Sequence, residues 1–187
     1  MDGSYASRAG YRLSIGDVGG EATVSTSGGD VKVRRVAGWA SLSTSGGNIE
    51  LLGASGKVKA NTSGGDIRLE DITGSIEAAT AGGDVSAELK PTGTGRSRLS
   101  SAGGEITLYL PENAKATIEA IIEIEGRWGR KNREYEIKSD FKEDTYDKRG
   151  RDEDDREIRA VYKLNGGGED IMLKTVNSNI YIKKLRR

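Results

Sequence analysis

One five-residue segment recurs along the sequence at an almost constant interval, and this repeat limits the chain to few architectures. The segment TSGGD begins at residue 26 and returns as TSGGN at 44, TSGGD at 62, TAGGD at 80 and SAGGE at 101. Successive starts are 18 residues apart, and only the last step is 21. A fixed period of this size is typical of solenoids, in which each repeat forms one coil.

Apolar residues alternate with polar ones in two short runs between consecutive corners. Val31 and Val33 begin the first run, Ala40 and Leu42 begin the second, and Gly38 marks the bend between them. Period-two alternation predicts β-strands with one buried face. An antiparallel meander would show the same alternation, but it would not need a constant step. The sequence therefore predicts an all-β, single-stranded parallel β-solenoid with coils of roughly 18 residues.

The pattern predicts a single β-solenoid domain over residues 1–187, in three parts. Regular coils are expected at about 8–111, with three extra residues between Pro91 and Arg96. Longer strands are expected at about 112–165, together with an exposed charged loop at 142–157, where apolar residues are scarce. A closing coil is expected at about 166–184, with Ser178 at a bend that elsewhere contains glycine.

Geometry alone explains the repeated corner. Alternation places its threonine inward, where stacked hydroxyls are expected to form a hydrogen-bonded ladder. The glycine pair permits positive φ or close backbone approach, and the following Asp or Asn is expected to bind turn amides. The predicted structural corners are Thr26, Gly28, Gly29, Thr44, Gly46, Gly47, Thr62, Gly64, Gly65, Thr80, Gly82, Gly83, Gly103 and Gly104.

Composition excludes several classes of function. Lys plus Arg equals Asp plus Glu at 29 each, so no net field attracts nucleic acid. The chain has no Cys and no His, which removes thiolate chemistry, the usual general base and the commonest zinc ligand. No apolar run approaches the roughly 20 residues of a membrane-spanning helix, and the first residues lack the apolar core of a signal peptide. No cofactor, nucleic acid or membrane span is expected.

Three patterns in the sequence allow a chemical site, and each also has a purely structural explanation. Calcium-binding β-rolls use a nine-residue glycine-aspartate pattern, whereas the period here is 18, so the aspartates are interpreted as turn-capping residues. Asp66 and Asp84 on adjacent coils could approach the carboxylate spacing of a retaining glycosidase, as any acidic column on a solenoid could. Gly166 to Gly168 lacks the spacing of a phosphate-binding loop and is interpreted as a tight entry to the last coil.

The ends of the stack and two tryptophans are the candidate contact sites. Unpaired end strands are natural sites of assembly. The residues predicted as assembly edges are Tyr11, Leu13 and Ile15 at the start and Ile180, Tyr181 and Ile182 at the finish. The basic residues after Ile182 have the alternative role of preventing such pairing. Trp39 and Trp128 are candidates for surface contact with a partner.

Several motifs together resemble a bacterial adhesin-like family of unknown function. They are the iterated TSGGDI unit, the segment LYLPENA, the strand SDF and the closing NGGGEDIMLKTVNSNIYI. The resemblance covers about residues 16–183 and implies a single-chain β-solenoid that is exported or associated with the cell envelope. It implies no catalytic residues.

The resulting functional hypothesis is a non-enzymatic, extracytoplasmic structural or interaction protein. Its partner is expected to be a protein or a cell-surface glycan. One alternative is a self-assembling subunit that stacks end to end into a homo-oligomer or filament. The other is a carbohydrate-active β-helix enzyme.

Overall fold

The computed structural model describes residues 4–8, 10, 12–93, 95–125, 134–150 and 156–185. Throughout these ranges the regular secondary structure consists of 18 strands with no helix, which confirms the all-β, mainly parallel prediction. The strands form a ten-stranded and an eight-stranded sheet, and the inward side chains of both join one apolar core.

In both sheets the spatial order of the strands differs from their order in the chain. The strands of the ten-stranded sheet are β1 (Ser4–Arg8), β3 (Ala22–Thr26), β5 (Ala40–Thr44), β7 (Val58–Asn61), β9 (Ile76–Thr80), β11 (Arg96–Ser101), β17 (Glu169–Val176), β13 (Ala116–Ile124), β16 (Arg156–Leu164) and β15 (Thr145–Gly150). The strands of the eight-stranded sheet are β2 (Leu13–Val18), β4 (Val31–Val36), β6 (Ile49–Leu51), β8 (Ile67–Thr73), β10 (Val85–Lys90), β12 (Ile106–Leu110), β18 (Ile180–Lys184) and β14 (Ile137–Ser139).

Each coil contributes one strand to each sheet. Coils 1 to 6 are the pairs β1–β2, β3–β4, β5–β6, β7–β8, β9–β10 and β11–β12; we call the coil 1 end proximal and the other end distal. Paired residues differ by 18 at Ala22 and Ala40, and by 21 at Val85 and Ile106. The three extra residues lie between β10 and β11, as predicted. The first coil begins at Ser4 rather than near Arg8, because β1 already pairs in register with β3.

The last coil of the sequence lies inside the stack. In this coil 7, β17 pairs in parallel with β11 on one side and with β13 on the other. β18 likewise lies between β12 and β14. We call the pair β13–β14 coil 8. The prediction that Ile180, Tyr181 and Ile182 form an assembly edge is therefore wrong, since this strand already has a hydrogen-bonded neighbour on each side.

Two asparagines join coil 7 to coil 8. Asn177, whose φ is 51°, binds both the amide and the carbonyl of Glu125 at 3.1 Å. Asn179 accepts a hydrogen bond from the Glu136 amide at 3.0 Å. Between them Ser178 occupies the corner column in which coil 6 has Gly104. Asn177 thus makes, at the position of the first corner glycine, hydrogen bonds to coil 8 that a glycine side chain could not make.

The distal end is covered by antiparallel strands. β16 pairs with β13 and β15 pairs with β16, so the ten-stranded sheet extends two strands beyond its partner sheet. Tyr162 on β16 is buried in the core. The exposed loop predicted at 142–157 contains β15 and the start of β16, because an edge strand needs backbone partners but few buried side chains. The long strand expected around SDF is only the three-residue β14. At its end the Ser139 hydroxyl accepts a hydrogen bond from the Phe141 amide.

Each corner hydroxyl connects two coils. Thr62 Oγ1 donates to the Gly47 carbonyl oxygen at 2.9 Å and accepts from the Gly65 amide at 3.3 Å. The expected ladder from hydroxyl to hydroxyl is therefore wrong at this corner, because the turn carbonyl of the preceding coil is the acceptor. The same donation is made by Thr44, Thr80, Ser101 and Thr175.

In the corner pairs of coils 3 to 6, only the second glycine is required by close approach. A Cβ on Gly65 would lie 2.1 Å from the Gly47 carbonyl oxygen, whereas one on Gly64 would lie 3.7 Å from the Gly46 oxygen. Neither Gly64 nor Gly65 has φ in the left-handed region. Of the two explanations for the glycine pair, the structure therefore supports close backbone stacking at the second position.

Gly65→Ala is expected to lower the free energy of unfolding by about 1–3 kcal/mol, the usual cost of forcing extra volume into a packed site. Gly64→Ala is the matched control and should change it by less than about 0.5 kcal/mol, as exposed substitutions usually do. Urea unfolding followed by circular dichroism measures both. Equal losses in the two variants would contradict the stacking explanation.

Candidate functional site

The outward face of the eight-stranded sheet carries an open groove of about 650 Å³ between coil 4 and coil 8. This volume falls within the range of about 300–1,000 Å³ that is usual for ligand sites. We call it the tyrosine groove and define it by Arg68, Glu70, Glu88, Tyr109 and Lys183. Strand alternation builds it, because these side chains point outward while their immediate neighbours enter the core.

Insertion of coil 7 completes the tyrosine groove. Lys183 on β18 is the cross-strand partner of Tyr109 on β12, and Tyr181 is the partner of Thr107. The Lys183 ammonium group lies 5.9 Å from the centre of the Tyr109 ring and 5.2 Å from that of Tyr181. At these distances the cation is attracted to both ring faces. Two aromatic rings and one ammonium group thus form a compact cluster on an outer sheet surface.

Ion pairs neutralise most other charges on this face. Arg68 contacts Glu70 at 2.5 Å, and this carboxylate raises the pKa of the guanidinium through hydrogen bonding and charge. Lys32 and Glu50 are 2.9 Å apart on adjacent coils. Exposed pairs of this kind contribute only about 0–1 kcal/mol each. Their main effect here is to leave few free charges on the face.

The acidic column at the corners holds the coils together. Asn48 Oδ1 accepts from the Asp66 amide at 2.8 Å, Asp66 Oδ1 from the Asp84 amide at 2.8 Å, and Asp84 Oδ1 from the Glu105 amide at 2.7 Å. The expectation that these side chains satisfy turn amides is confirmed, with the amide supplied by the next coil. In the part of the chain that the structure describes, no three His, Cys, Asp or Glu side chains are grouped as metal ligands.

Asp30 shows the electrostatic effect of this arrangement. The hydrogen bond from the Asn48 amide lowers the pKa of its carboxyl group, and the Arg12 guanidinium at 2.9 Å lowers it further. The carboxylate is therefore stabilised as an anion that accepts hydrogen bonds. As an anion, the Asp30 side chain can accept the Asn48 amide and so connect its coil to the next one.

One buried carboxyl group lies outside both the tyrosine groove and the acidic column. Glu169 is fully buried at the start of β17, where its Oε1 accepts from the Ser97 hydroxyl at 2.7 Å and its Oε2 has no partner. Ser97 Oγ in turn accepts from the Ile76 amide at 3.0 Å. Gly95 provides space for the carboxyl group, since a Cβ there would lie 3.1 Å from Glu169 Cδ. Burial raises the pKa of Glu169 above its ordinary value of 4.5, against the opposing effects of Ser97 and of the Thr92 backbone.

The other predicted contact residues do not contribute to the tyrosine groove. Leu13 and Ile15 lie half-buried in β2, the proximal edge strand of the eight-stranded sheet. Trp39 is half-buried just before β5, on the ten-stranded side. Tyr11 and Trp128 lie outside the described residues.

Sequence reasoning missed Tyr109 and Lys183 as site residues and assigned Tyr181 to an edge. A signal was present, since LYL and IYIKK place Tyr109 and Tyr181 in outward columns. Their proximity depends on the position of coil 7 beside coil 6, which the order of residues in the chain does not reveal.

The family comparison agrees with the fold. The model of the family described as Toastrack DUF4097 matches residues 18–183 of the chain. No curated protein and no solved structure gives a significant match. Among the residues described by the structure, no helix is long and apolar enough to cross a membrane.

Asp66→Asn should leave the free energy of unfolding nearly unchanged, because Asn48 already makes the same bond with an amide oxygen. Asp66→Ala should cost about 1 kcal/mol, the net value of a typical hydrogen bond. Chemical denaturation of the two variants checks this. A loss as large for Asn as for Ala would show that the carboxylate has a role other than accepting the Asp84 amide.

Glu169→Gln should stabilise the protein relative to wild type above the ordinary Glu pKa of 4.5 and have a smaller effect below it. A carboxyl group whose pKa is raised by folding contributes stability at low pH, and this contribution is lost as pH rises through the folded-state pKa. The expected gain at neutral pH is about 1–3 kcal/mol, the cost of desolvating the charged carboxylate, which the neutral amide does not carry.

The difference in unfolding free energy between Glu169→Gln and wild type should be measured from pH 4 to pH 8. Comparing the two proteins at each pH cancels the contributions of carboxyl groups with lowered pKa, such as Asp30 and Glu77, which act in the opposite direction. A difference that does not vary with pH would contradict the proposed burial of the charge.

Proposed function

Because the chain belongs to the Toastrack DUF4097 family, whose function is unknown, we propose from its own surface that it is a non-enzymatic interaction module that binds a partner through the tyrosine groove. The observation that carries this proposal is the cluster of Tyr109, Tyr181 and Lys183. Aromatic side chains beside a few convergent polar groups are typical of binding sites. Tyrosine is also enriched among residues that dominate binding energy.

The proposed location is extracytoplasmic, either in the cell envelope or secreted. This part of the proposal is supported by the resemblance of the repeats and of the closing coil to an adhesin-like family. The proposed adhesin role is attachment of the module to a cell-surface or glycan partner. A rigid stack of coils suits this role, because it presents the groove on strands rather than on loops.

The contacts of the acidic column support a non-enzymatic role. A retaining glycosidase needs one carboxylate free to attack and a second, protonated carboxyl group free to donate its proton. Asp66 and Asp84 each use Oδ1 to accept a backbone amide of the next coil. Both side chains thus have a structural role that accounts for their position.

A homo-oligomer that forms through the proximal end is a second candidate. Leu13 and Ile15 are half-buried, whereas Val31 and Val33, their partners on the next coil, are almost completely buried. The apolar core is thus partly exposed at coil 1. End-to-end stacking through coil 7 has no support, since both of its strands are already paired on either side.

Tyr109→Ser should weaken binding to bacterial envelope fragments at least about tenfold, since loss of an aromatic anchor commonly costs more than about 1 kcal/mol. Co-sedimentation with envelope fragments from a Gram-positive and a Gram-negative bacterium measures the affinity. Tyr146→Ser is the matched control, because Tyr146 is a 41% exposed tyrosine on β15 of the other sheet.

The proposal requires the wild type and Tyr146→Ser to bind equally and Tyr109→Ser to bind weakly while keeping the same melting temperature. No sedimentation of the wild type, or equal sedimentation of all three proteins, would contradict it.

A further inference from the structure

Two charged groups without a neutralising partner stand on opposite sides of Tyr109. Glu88 on β10 and Lys183 on β18 are its cross-strand partners. Among the described residues, Glu88 has no ion pair or hydrogen bond, and the Lys183 ammonium group contacts only the two tyrosine rings. This contrasts with Lys32, Arg68 and their acidic partners on the same face. A carboxylate, an aromatic ring and an ammonium group are therefore aligned across three adjacent strands.

The spacing of this row matches a single sugar ring with its substituents. Neighbouring strands are about 4.8 Å apart, so the backbones that carry Glu88 and Lys183 are separated by roughly 10 Å with Tyr109 between them. Ser86 and Thr107 are short side chains on the same face, and Ser86 lines the groove. Their small size leaves room beside the Tyr109 ring, which is only half-buried.

The charges and the backbone distinguish between classes of ligand. A polyphosphate chain offers acceptor oxygens only, so it could bind Lys183 but has no donor for Glu88, which also lines the groove. A peptide main chain would find no strand to pair with, because β10, β12 and β18 each have a neighbour on both sides. A glycan has no backbone amides to satisfy, and its hydroxyls are good donors to a free carboxylate.

Building on the proposed function, we infer that the tyrosine groove binds an acidic glycan through a uronic acid residue. The sugar ring packs on Tyr109, its carboxylate accepts a hydrogen bond from Lys183 Nζ, and its hydroxyls donate to Glu88. Lys183 also contacts Tyr181, which helps to hold its ammonium group beside Tyr109. The charge-assisted bond to Lys183 provides the selectivity for acidic over neutral sugars.

Isothermal titration calorimetry with carboxylated oligosaccharides tests the inference. The probes are oligomers of galacturonate, mannuronate and glucuronate, each compared with its neutral methyl ester. The wild type should bind at least one acid form at least about tenfold more tightly than its ester, the factor that corresponds to one charge-assisted hydrogen bond.

Three variants separate the contributions of the groups. Lys183→Gln should weaken binding of the acid form about tenfold and leave binding of the ester unchanged, because only the carboxylate contact is lost. Tyr109→Ser should weaken both forms. Lys32→Gln is the matched control, since Lys32 is a lysine on the same face that already pairs with Glu50 outside the groove. It should bind like the wild type.

The inference is overturned if none of the three acid oligomers binds, if acid and ester bind equally, or if Lys183→Gln keeps the preference for the acid. Tighter binding of an oligoglutamate peptide than of every glycan would also overturn it, in favour of an acidic protein partner. If envelope binding still depends on Tyr109 in any of these cases, the ligand class is wrong and the interaction role stands. If envelope binding also fails, both are wrong.

Discussion

Close contact between the backbones of successive coils is the constraint on which the rest of the structure depends. At the corners this contact is so close that a Cβ on Gly65 would lie 2.1 Å from the Gly47 carbonyl oxygen. The Thr62 hydroxyl and the Asp66 carboxylate then connect the same corner to its neighbours. Glycine, threonine and aspartate thus recur every 18 residues because each makes a contact that exists only in the stack. No coil can bury its apolar face alone, so the stable unit is the whole array.

Insertion of coil 7 between coils 6 and 8 connects this scaffold to the proposed function. The chain leaves a space for one coil after β12 and fills it with the last coil of the sequence. This coil closes the gap in both sheets and brings Lys183 beside Tyr109. It also places Glu169 in the core beneath Gly95, so a carboxyl group with a raised pKa lies at the junction. The element that completes the fold therefore also completes the tyrosine groove.

The sequence predicted the local parts of this structure and missed the order of the coils. The spacing of the corners and the alternation around Val31 and Val33 were sufficient for the strands and for their parallel stacking, because both follow from neighbouring residues. Nothing local reveals that Ile180 lies between two strands, since an internal and a terminal coil have the same inward apolar pattern. The groove was missed for the same reason. The sequence predicts a loop where β15 lies, because an edge strand with an exposed Tyr146 lacks an apolar face.

Cysteine cross-linking in this cysteine-free chain tests the position of coil 7 most directly. Met172 is the cross-strand partner of Arg98 in coil 6 and of Glu119 in coil 8. Cysteine pairs at 98 and 172 and at 172 and 119 should form disulfides, because Cα atoms on adjacent strands fall within the usual range of about 4.4–6.8 Å. A pair at 98 and 119 is separated by two strand spacings, roughly 10 Å, and should not form one. Efficient cross-linking of 98 to 119 would place coil 7 at the end of the stack and contradict both the fold and the groove.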